Sequence, residues 1–203
     1  MLSRENFCPH SSLYARNFIT KFAHTKYKYF CMADDDISNV YFRINEGGHM
    51  KMKDAKNYLN EICFNICDFL DNCHAIGGVC FKNNGGYFGG IQALEKYDRE
   101  LQQFMFLKSK DIRYFKGLYL DDAIYSCSNF DKLYFALPIV SAKSPKLGTN
   151  DGGISYNSMK YPPNLFWMAY CPSALKIKGI KGDRFRYNRF MYPQIINSKY
   201  KKL

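Results

Sequence analysis

The chain has 203 residues, of which 47% are hydrophobic and 23% are charged, and this balance predicts one ordered domain with a substantial core, not a disordered chain. No apolar run reaches the roughly 18 residues that a membrane span needs, and the first residues lack the apolar stretch of a secretory signal. The formal charge of +11 favours a polyanionic partner, namely nucleic acid, an anionic surface or a phosphorylated substrate. An AT-rich coding sequence would produce the same excess of lysine.

The first predicted elements are a helix, a strand and an acidic triplet. Residues 13–24 have an apolar face at helical spacing and predict a helix. The apolar, aromatic run 27–33 predicts a buried strand. Asp34, Asp35 and Asp36 follow that strand directly.

The rest of the chain continues to alternate between helices and strands. Apolar residues at helical spacing predict a long helix over residues 52–73, and another helix is predicted near Ala123. Pro138 favours an edge position or an early stop for the strand predicted over 132–140. The alternation indicates an α/β fold. Further strands are predicted over residues 40–44, 75–82, 103–107, 175–178 and 185–191, and a short helix over 164–170.

The three aspartates indicate a cation site. Adjacent carboxylates repel each other, so a fold gains nothing from holding three of them at the end of a strand. A divalent cation removes this repulsion, and Mg²⁺ or Mn²⁺ takes oxygen ligands while it also binds a phosphorylated substrate. In open α/β sheets, ligands bind beyond the carboxyl ends of strands. The pattern therefore predicts a metal–diphosphate site, with a solvated acidic turn as the alternative.

Two other acidic positions are candidates for chemistry. Asp121 and Asp122 lie between apolar residues, where a carboxylate can act as the base for an incoming nucleophile. The alternative is that this pair caps the helix near Ala123. Asp151 precedes two glycines, which allow close approach of the backbone to a ligand, although glycines are also ordinary turn residues.

Several common site patterns are missing from the sequence. The eight cysteines include no CxxC pair, which argues against a zinc ribbon and favours reduced thiols in the cytosol. The four histidines form no HxH or HExxH pattern, so none is assigned as a zinc ligand. A GxxxxGK[ST] loop and a GxGxxG turn after a strand are absent as well, which argues against a P-loop NTPase and a dinucleotide-binding unit.

The helix that contains Arg16 and Asn17, followed by the strand that leads into the triplet, resembles the segment before the DxD motif of GT-A glycosyltransferases. The resemblance implies that Asp34 and Asp36, the outer residues of the motif, hold Mn²⁺ or Mg²⁺. It also implies that Arg16 and Asn17 contact a nucleotide-diphosphate sugar, with Asp35 at the middle position of this donor site. The implied fold is a GT-A-like (Rossmann-like) mixed sheet flanked by helices.

The stretch LYLDDAIYS resembles the downstream acidic motif of the same enzymes. This implies that Asp122, with Asp121 beside it, supplies the base of an inverting reaction, and Asp151 is the reserve candidate. Among GT-A enzymes the chain is most similar to the TET-associated glycosyltransferases, in the patches MADDDI, YLDDAIYS, TNDGGIS and RFRYNRFMYPQII. Those proteins are proposed to glycosylate hydroxymethylated pyrimidines in DNA.

Two features depart from the GT-A pattern. Only 33 residues precede Asp34, whereas GT-A enzymes usually carry a longer nucleotide-binding unit there. We therefore expect a single domain over residues 1–203 that lacks part of this unit. Many GT-A enzymes also have a metal-binding histidine near the C-terminus, but the last histidine here is His74.

The leading hypothesis is a metal-dependent glycosyltransferase that moves a sugar from a nucleotide-diphosphate donor to a hydroxyl group. The basic, aromatic stretch 176–202 makes DNA with a modified base the preferred acceptor. We expect a cytoplasmic location, in the host cell if the protein is viral. A metal-dependent nuclease or phosphotransferase would also suit two acidic clusters and a basic surface. The third hypothesis is a basic nucleic-acid-binding protein without catalysis.

Overall fold

The computed structural model describes residues 11–46, 49–83, 101–117, 121–128, 132–143, 169–172, 175–181 and 184–189. These ranges contain three α-helices, which are α1 (Ser11–Lys26), α2 (Leu59–Asn72) and α3 (Asp121–Ser128). They also contain eight strands, which are β1 (Tyr29–Ala33), β2 (Asn39–Glu46), β3 (His49–Asp54), β4 (Ile76–Asn83), β5 (Phe104–Lys108), β6 (Leu133–Lys143), β7 (Leu175–Lys181) and β8 (Arg184–Arg189). Two short 3-10 turns occupy Lys56–Tyr58 and Ser109–Asp111.

Six strands form one mixed sheet in the order β1-β5-β4-β6-β2-β3. β4 and β6 are parallel, and the other adjacent pairs are antiparallel. Consequently β1, β3, β4 and β6 run in one direction, whereas β2 and β5 run in the opposite direction. β7 and β8 form a two-stranded antiparallel hairpin. The predicted α/β class with a mixed sheet is confirmed.

Buried side chains cover both faces of the six-stranded sheet. Successive residues of a strand point to opposite faces, so neighbours in β4 and β5 belong to different clusters. One cluster joins Val79 and Phe81 to the stripe of α2 formed by Ile62, Ile66 and Leu70. The other joins Cys80, Met105 and Leu107 to Phe115, Tyr134 and Tyr125 of α3, and Leu13 of α1 packs against it. Helices therefore flank the sheet on both sides.

The helix predicted over 52–73 was placed too early in the sequence, because residues 49–54 form a strand. They form β3, which pairs with β2, and α2 begins only at Leu59. The sequence HMKMKD alternates between basic or acidic and apolar residues in its central part, a period of two that suits a strand better than a helix. At the end of β3 the Ala55 N–H donates to the Val40 carbonyl oxygen at 2.9 Å, which ties the start of the helical segment to β2.

Pro138 does not place β6 at an edge or stop it early. β6 lies between β4 and β2 and continues to Lys143. Its register with β4 shifts between Phe81, which faces Leu137, and Lys82, which faces Ser141. Pro138 falls within this irregular stretch, where its missing N–H interrupts no regular ladder.

The remaining predicted elements have mixed outcomes. The helices over 13–24 and near Ala123 are confirmed with small differences in their ends, and so are the strands over 40–44, 75–82 and 103–107 and those near 175–178 and 185–191. The run 27–33 contains a strand as predicted, but its predicted burial is wrong. β1 is an edge strand with a single neighbour, and only Met32 of its five residues is buried. The predicted helix over 164–170 lies mostly outside the described residues. None of the described helices is both long and apolar enough to cross a membrane.

Candidate functional site

The acidic triplet lies where strands of the six-stranded sheet end, at the edge that the strand termini form. The carboxyl ends of β1, β4 and β6 lie along this edge because the three strands run in the same direction. The segment after Ala33 must cross from β1 to β2, which is four strand spacings away in the sheet order. Only six peptide steps join Ala33 to Asn39, so the segment has to take a direct path past the ends of the strands between β1 and β2. The triplet therefore runs across the ends of the intervening strands.

Two bonds between backbone groups attach this crossing segment to the sheet, and the Ser38 hydroxyl adds a third to the Lys143 carbonyl oxygen at 2.9 Å. The Asp34 N–H donates to the Gln103 carbonyl oxygen at 2.9 Å, just before β5. The Ser38 N–H donates to the carbonyl oxygen of Lys143, at the end of β6, at 2.8 Å. β4 lies between β5 and β6, so the middle of the segment passes the end of β4.

The three carboxylates differ in exposure. Asp34 and Asp36 are half-buried, whereas Asp35 is exposed to solvent. The Ile37 N–H approaches the Asp34 carbonyl oxygen at 3.4 Å, which turns the chain within the triplet. The two outer side chains are thus sheltered by the protein, and the middle one faces water as it would in a simple acidic turn.

Arg16 of α1 forms an ion pair with the first aspartate. Arg16 lies ten residues before the end of α1, and Asp34 lies five residues after the start of β1. These offsets correspond to about 15 Å along the helix and about 16 Å along the strand, so the two residues are level. The Arg16 Nη2 lies 3.2 Å from the Asp34 Oδ1, and the side chains are 14% and 35% exposed.

Phe115 completes the surroundings of Arg16. The guanidinium carbon of Arg16 lies 5.7 Å from the centre of the Phe115 ring, within the range of a cation–π contact. The Phe115 ring in turn stacks on Tyr125 of α3, with 4.3 Å between ring centres. Burial raises the pKa of Tyr125, so this ring remains neutral. The guanidinium is therefore held between an aromatic ring and a carboxylate.

Asn17 bonds the backbone of Phe115. Its Nδ2 donates to the Phe115 carbonyl oxygen at 3.1 Å, and its Oδ1 accepts from the Phe115 N–H at 2.7 Å. Asn17 thus positions Phe115, which lies against Arg16. This role of Asn17 was not predicted, because 98 residues separate the partners and no local sequence pattern connects them.

Asp122 lies in the first turn of α3. Its Oδ1 accepts from the N–H of the next residue, Ala123, at 2.7 Å, and a carboxylate in the first turn is favoured by the helix dipole. Four residues later the Ser126 hydroxyl accepts from the Leu101 N–H at 2.9 Å. Leu101 is two residues before Gln103, the residue that holds Asp34. α3 is therefore attached at the same edge of the sheet as the triplet.

The other two acidic candidates are less well defined. Asp121 is the first residue of α3, but its side chain lies outside the described part of the structure. Asp151 lies outside the described residues altogether, eight positions after the end of β6 in the sequence.

The metal ligands near the triplet are enough for a cation only when phosphates of a bound substrate also coordinate it. Within the described ranges no group of three or more His, Cys, Asp or Glu side chains is arranged to hold a metal ion. Asp34 and Asp36 supply carboxylate oxygens, which Mg²⁺ and Mn²⁺ accept. Mg²⁺ is commonly bound by one or two carboxylates together with substrate phosphates and water. The residues present fit that mode and not a cage built by protein alone.

Comparisons of the chain with models of known protein families, with curated proteins and with solved structures find no match. The site is therefore interpreted from its own residues.

Proposed function

We propose that this chain is a metal-dependent glycosyltransferase of the GT-A type, which transfers a sugar from a nucleotide-diphosphate donor to a hydroxyl group. The observation that carries the proposal is the position of Arg16 beside Asp34 at the sheet edge. A diphosphate bound with a divalent cation needs carboxylate oxygens for the cation and a cationic donor for the phosphates. Arg16 and the two sheltered carboxylates, Asp34 and Asp36, supply both within one short stretch of the fold.

The donor site would be assembled by exchange of partners. In the described structure the Arg16 guanidinium is paired with Asp34 at 3.2 Å. With a donor bound, Arg16 would donate to a phosphate oxygen, and Asp34 and Asp36 would supply carboxylate oxygens to Mn²⁺ or Mg²⁺. Bound there, the cation would supply charge neutralisation for the departing diphosphate. Asn17 keeps Phe115 against Arg16, and Asp35 remains at the solvent side of the donor site.

The base of the proposed transfer step is a carboxylate of α3. Asp122 accepts the proton of the acceptor hydroxyl, and the hydroxyl oxygen forms a bond to the anomeric carbon of the sugar. The bond from that carbon to the diphosphate oxygen breaks, and the nucleoside diphosphate leaves with its electron pair. The bond from the Ala123 N–H to Asp122 Oδ1 orients the carboxylate. Asp121 and Asp151 are the reserve candidates for this role.

The β7–β8 hairpin supports DNA as the acceptor. Its two strands carry six basic residues and no acidic one. A two-stranded ribbon is one of the shapes that the major groove of DNA admits, and lysine and arginine neutralise phosphates. A hydroxymethylated base in DNA would supply the hydroxyl group that the transfer step requires, after it leaves the base stack.

The proposal is tested by donor binding and by turnover. Thermal unfolding is measured with a panel of UDP-, GDP- and CDP-sugars, each with and without Mn²⁺. Because two carboxylates hold the cation only with help from phosphates, we expect a rise in melting temperature with Mn²⁺ and the right sugar nucleotide together, and little with Mn²⁺ alone. Asp36→Ala should abolish this rise and the metal-dependent release of the nucleoside diphosphate.

A control variant shows whether the effect depends on the triplet and not on the loss of any carboxylate. Asp68→Ala removes an exposed carboxylate from α2, away from the triplet, and should behave as wild type. Unchanged turnover in Asp36→Ala would remove the metal assignment. Incubation of plasmid DNA with the protein and Mn²⁺ provides a second check, because nicking without a sugar nucleotide would indicate the nuclease instead.

A further inference from the structure

The outer face of α1 carries a row of exposed aromatic side chains. Leu13, Arg16, Asn17, Thr20 and Ala23 face the protein. On the opposite side Tyr14, Phe18 and Phe22 follow each other at intervals of four residues, and all three are exposed, Phe18 by 71%. Tyr27 is exposed as well, with its ring centre 6.2 Å from that of Phe22. We call Tyr14, Phe18, Phe22, Tyr27, Lys21 and Lys26 the α1 stripe.

Such a row has an energetic cost in water. Each exposed aromatic ring gives up the stabilisation that burial would supply, and contiguous apolar patches on a soluble surface commonly mark binding sites. Phe18 and Phe22 belong to the apolar residues that predict the helix over 13–24. In the structure both point outward, because Leu13, Arg16, Asn17, Thr20 and Ala23 occupy the inward positions of α1.

The charges of α1 indicate what covers the stripe. The helix contains no acidic residue, and both Lys21 and Lys26 are exposed. Among the residues that the structure describes, neither lysine forms an ion pair, and the Lys26 Nζ lies 4.3 Å from the centre of the Phe22 ring. A second copy of the chain would bring the same lysines together, on a protein with a net charge of +11. An anionic partner avoids that repulsion.

The spacing of the rings indicates a single strand. Residues four apart in an α-helix are about 6 Å apart along its axis. Bases in a duplex follow each other at about 3.4 Å, so stacked base pairs cannot match the rings one to one. When an aromatic ring is stacked between two unpaired bases, the bases lie about 7 Å apart, which is twice the stacking distance. This separation is close to the spacing of about 6 Å between successive rings along α1.

We propose that the α1 stripe binds single-stranded nucleic acid, with unpaired bases stacked on Tyr14, Phe18 and Phe22 and phosphates held by Lys21 and Lys26. Aromatic platforms beside basic groups are the usual means of binding single strands without sequence preference. The site lies on the side of α1 that faces away from Arg16, and it needs neither a metal nor a sugar nucleotide. The inference therefore stands independently of the proposed transferase activity.

The test measures binding of the full chain to a fluorescent single-stranded oligothymidylate and to a duplex of equal length, without metal or donor. The double variant Phe18→Ala/Phe22→Ala should weaken binding of the single strand by at least about 5-fold, which corresponds to the lower limit for loss of one stacked base. Phe64→Ala is the control, because Phe64 is equally exposed at 74% but lies on α2. The control should bind as wild type.

The lysines are tested through salt dependence. Lys21→Gln/Lys26→Gln should reduce the slope of log affinity against log salt concentration by about 1.4, which is the loss of two phosphate contacts on a single strand. Lys53→Gln/Lys110→Gln removes the same charge from exposed residues on other elements and should change the slope less.

A third measurement needs no variant. Ultraviolet cross-linking of the wild-type chain to the oligothymidylate, followed by trypsin, should label the peptides 5–16, 17–21 and 22–26, which contain Tyr14, Phe18 and Phe22. Unchanged affinity in Phe18→Ala/Phe22→Ala, an equal loss in Phe64→Ala, or labels confined to other peptides would each overturn the proposal. So would binding to phosphatidylserine vesicles that depends on Phe18 and Phe22 while oligothymidylate binding does not, because the partner would then be a membrane surface.

Discussion

The contact between Asn17 and Phe115 allows a structural role to be separated from a donor-binding role. Asn17→Ala removes two hydrogen bonds, of 3.1 Å and 2.7 Å, to a residue that is only 2% exposed. Each such bond contributes about 0.5–1.5 kcal/mol net, and a buried backbone group left without a partner costs about 1–3 kcal/mol. The gain in helix propensity from alanine, about 0.5 kcal/mol, offsets a small part.

We therefore expect Asn17→Ala to lower the free energy of unfolding by about 2–4 kcal/mol, worked from the two lost bonds. For a chain of this size each kcal/mol lowers the melting temperature by about 2–4 °C. Urea denaturation gives the free energy, and thermal unfolding followed by circular dichroism gives the temperature. The assay needs no ligand, so it is independent of the proposed activity.

Asn65→Ala is the matched control for this measurement. Asn65 is exposed on α2, so the same substitution gains helix propensity without losing a buried partner and should leave stability unchanged or raise it by about 0.5 kcal/mol. If Asn17→Ala proves as stable as Asn65→Ala while donor binding is lost, the contact with Phe115 does not hold the protein together, and Asn17 acts on the donor directly.

Two further predictions concern the packing of the sheet and a buried thiol. An added Cβ at Gly78 would lie 2.6 Å from the Phe106 carbonyl oxygen and 2.5 Å from the Leu107 Cδ2. Because the backbone oxygen cannot move aside freely, Gly78→Ala should lower the free energy of unfolding by about 1–3 kcal/mol. Urea denaturation measures this change, and a variant as stable as wild type would contradict the packing around Gly78. Cys171 is fully buried, and burial raises the pKa of its thiol from 9.0 to about 11. At pH 8 the loss of thiolate alone should make its alkylation by iodoacetamide about a hundredfold slower in the folded than in the unfolded chain. Its contribution to stability should be fully present below pH 9 and be lost as the pH rises toward 11. Equal alkylation rates by mass spectrometry would show that the thiol is not buried.

Local patterns predicted most of the elements that position the site. The helix and strand before the triplet follow from apolar spacing, and the ion pair between Arg16 and Asp34 requires only that α1 and β1 lie antiparallel across a short connection. Such contacts are close in sequence, so spacing and element length determine them. The strand over residues 49–54 was missed because Met52, three residues before Ala55, also fits the helical spacing of the residues that follow.

Contacts between distant segments could not be predicted in this way. Asn17 and Phe115 pair across 98 residues, and nothing local to either residue indicates the other. The interior position of Pro138 depends on a register shift against β4, which is a property of two strands together. Likewise, the outward direction of Phe18 depends on which side of α1 the sheet occupies.

The two faces of α1 connect these observations. Arg16 and Asn17 point inward because Asp34 and the Phe115 backbone offer them charge and hydrogen-bond partners, and polar groups inside a protein require such partners. This orientation of α1 leaves Phe18 and Phe22 exposed, although moving their rings from water into the protein would lower the free energy. A helix selected for stability alone would be rotated to bury those rings. That α1 instead holds a guanidinium against the acidic triplet, with aromatic rings facing solvent, is the physical reason to assign a binding function to each face.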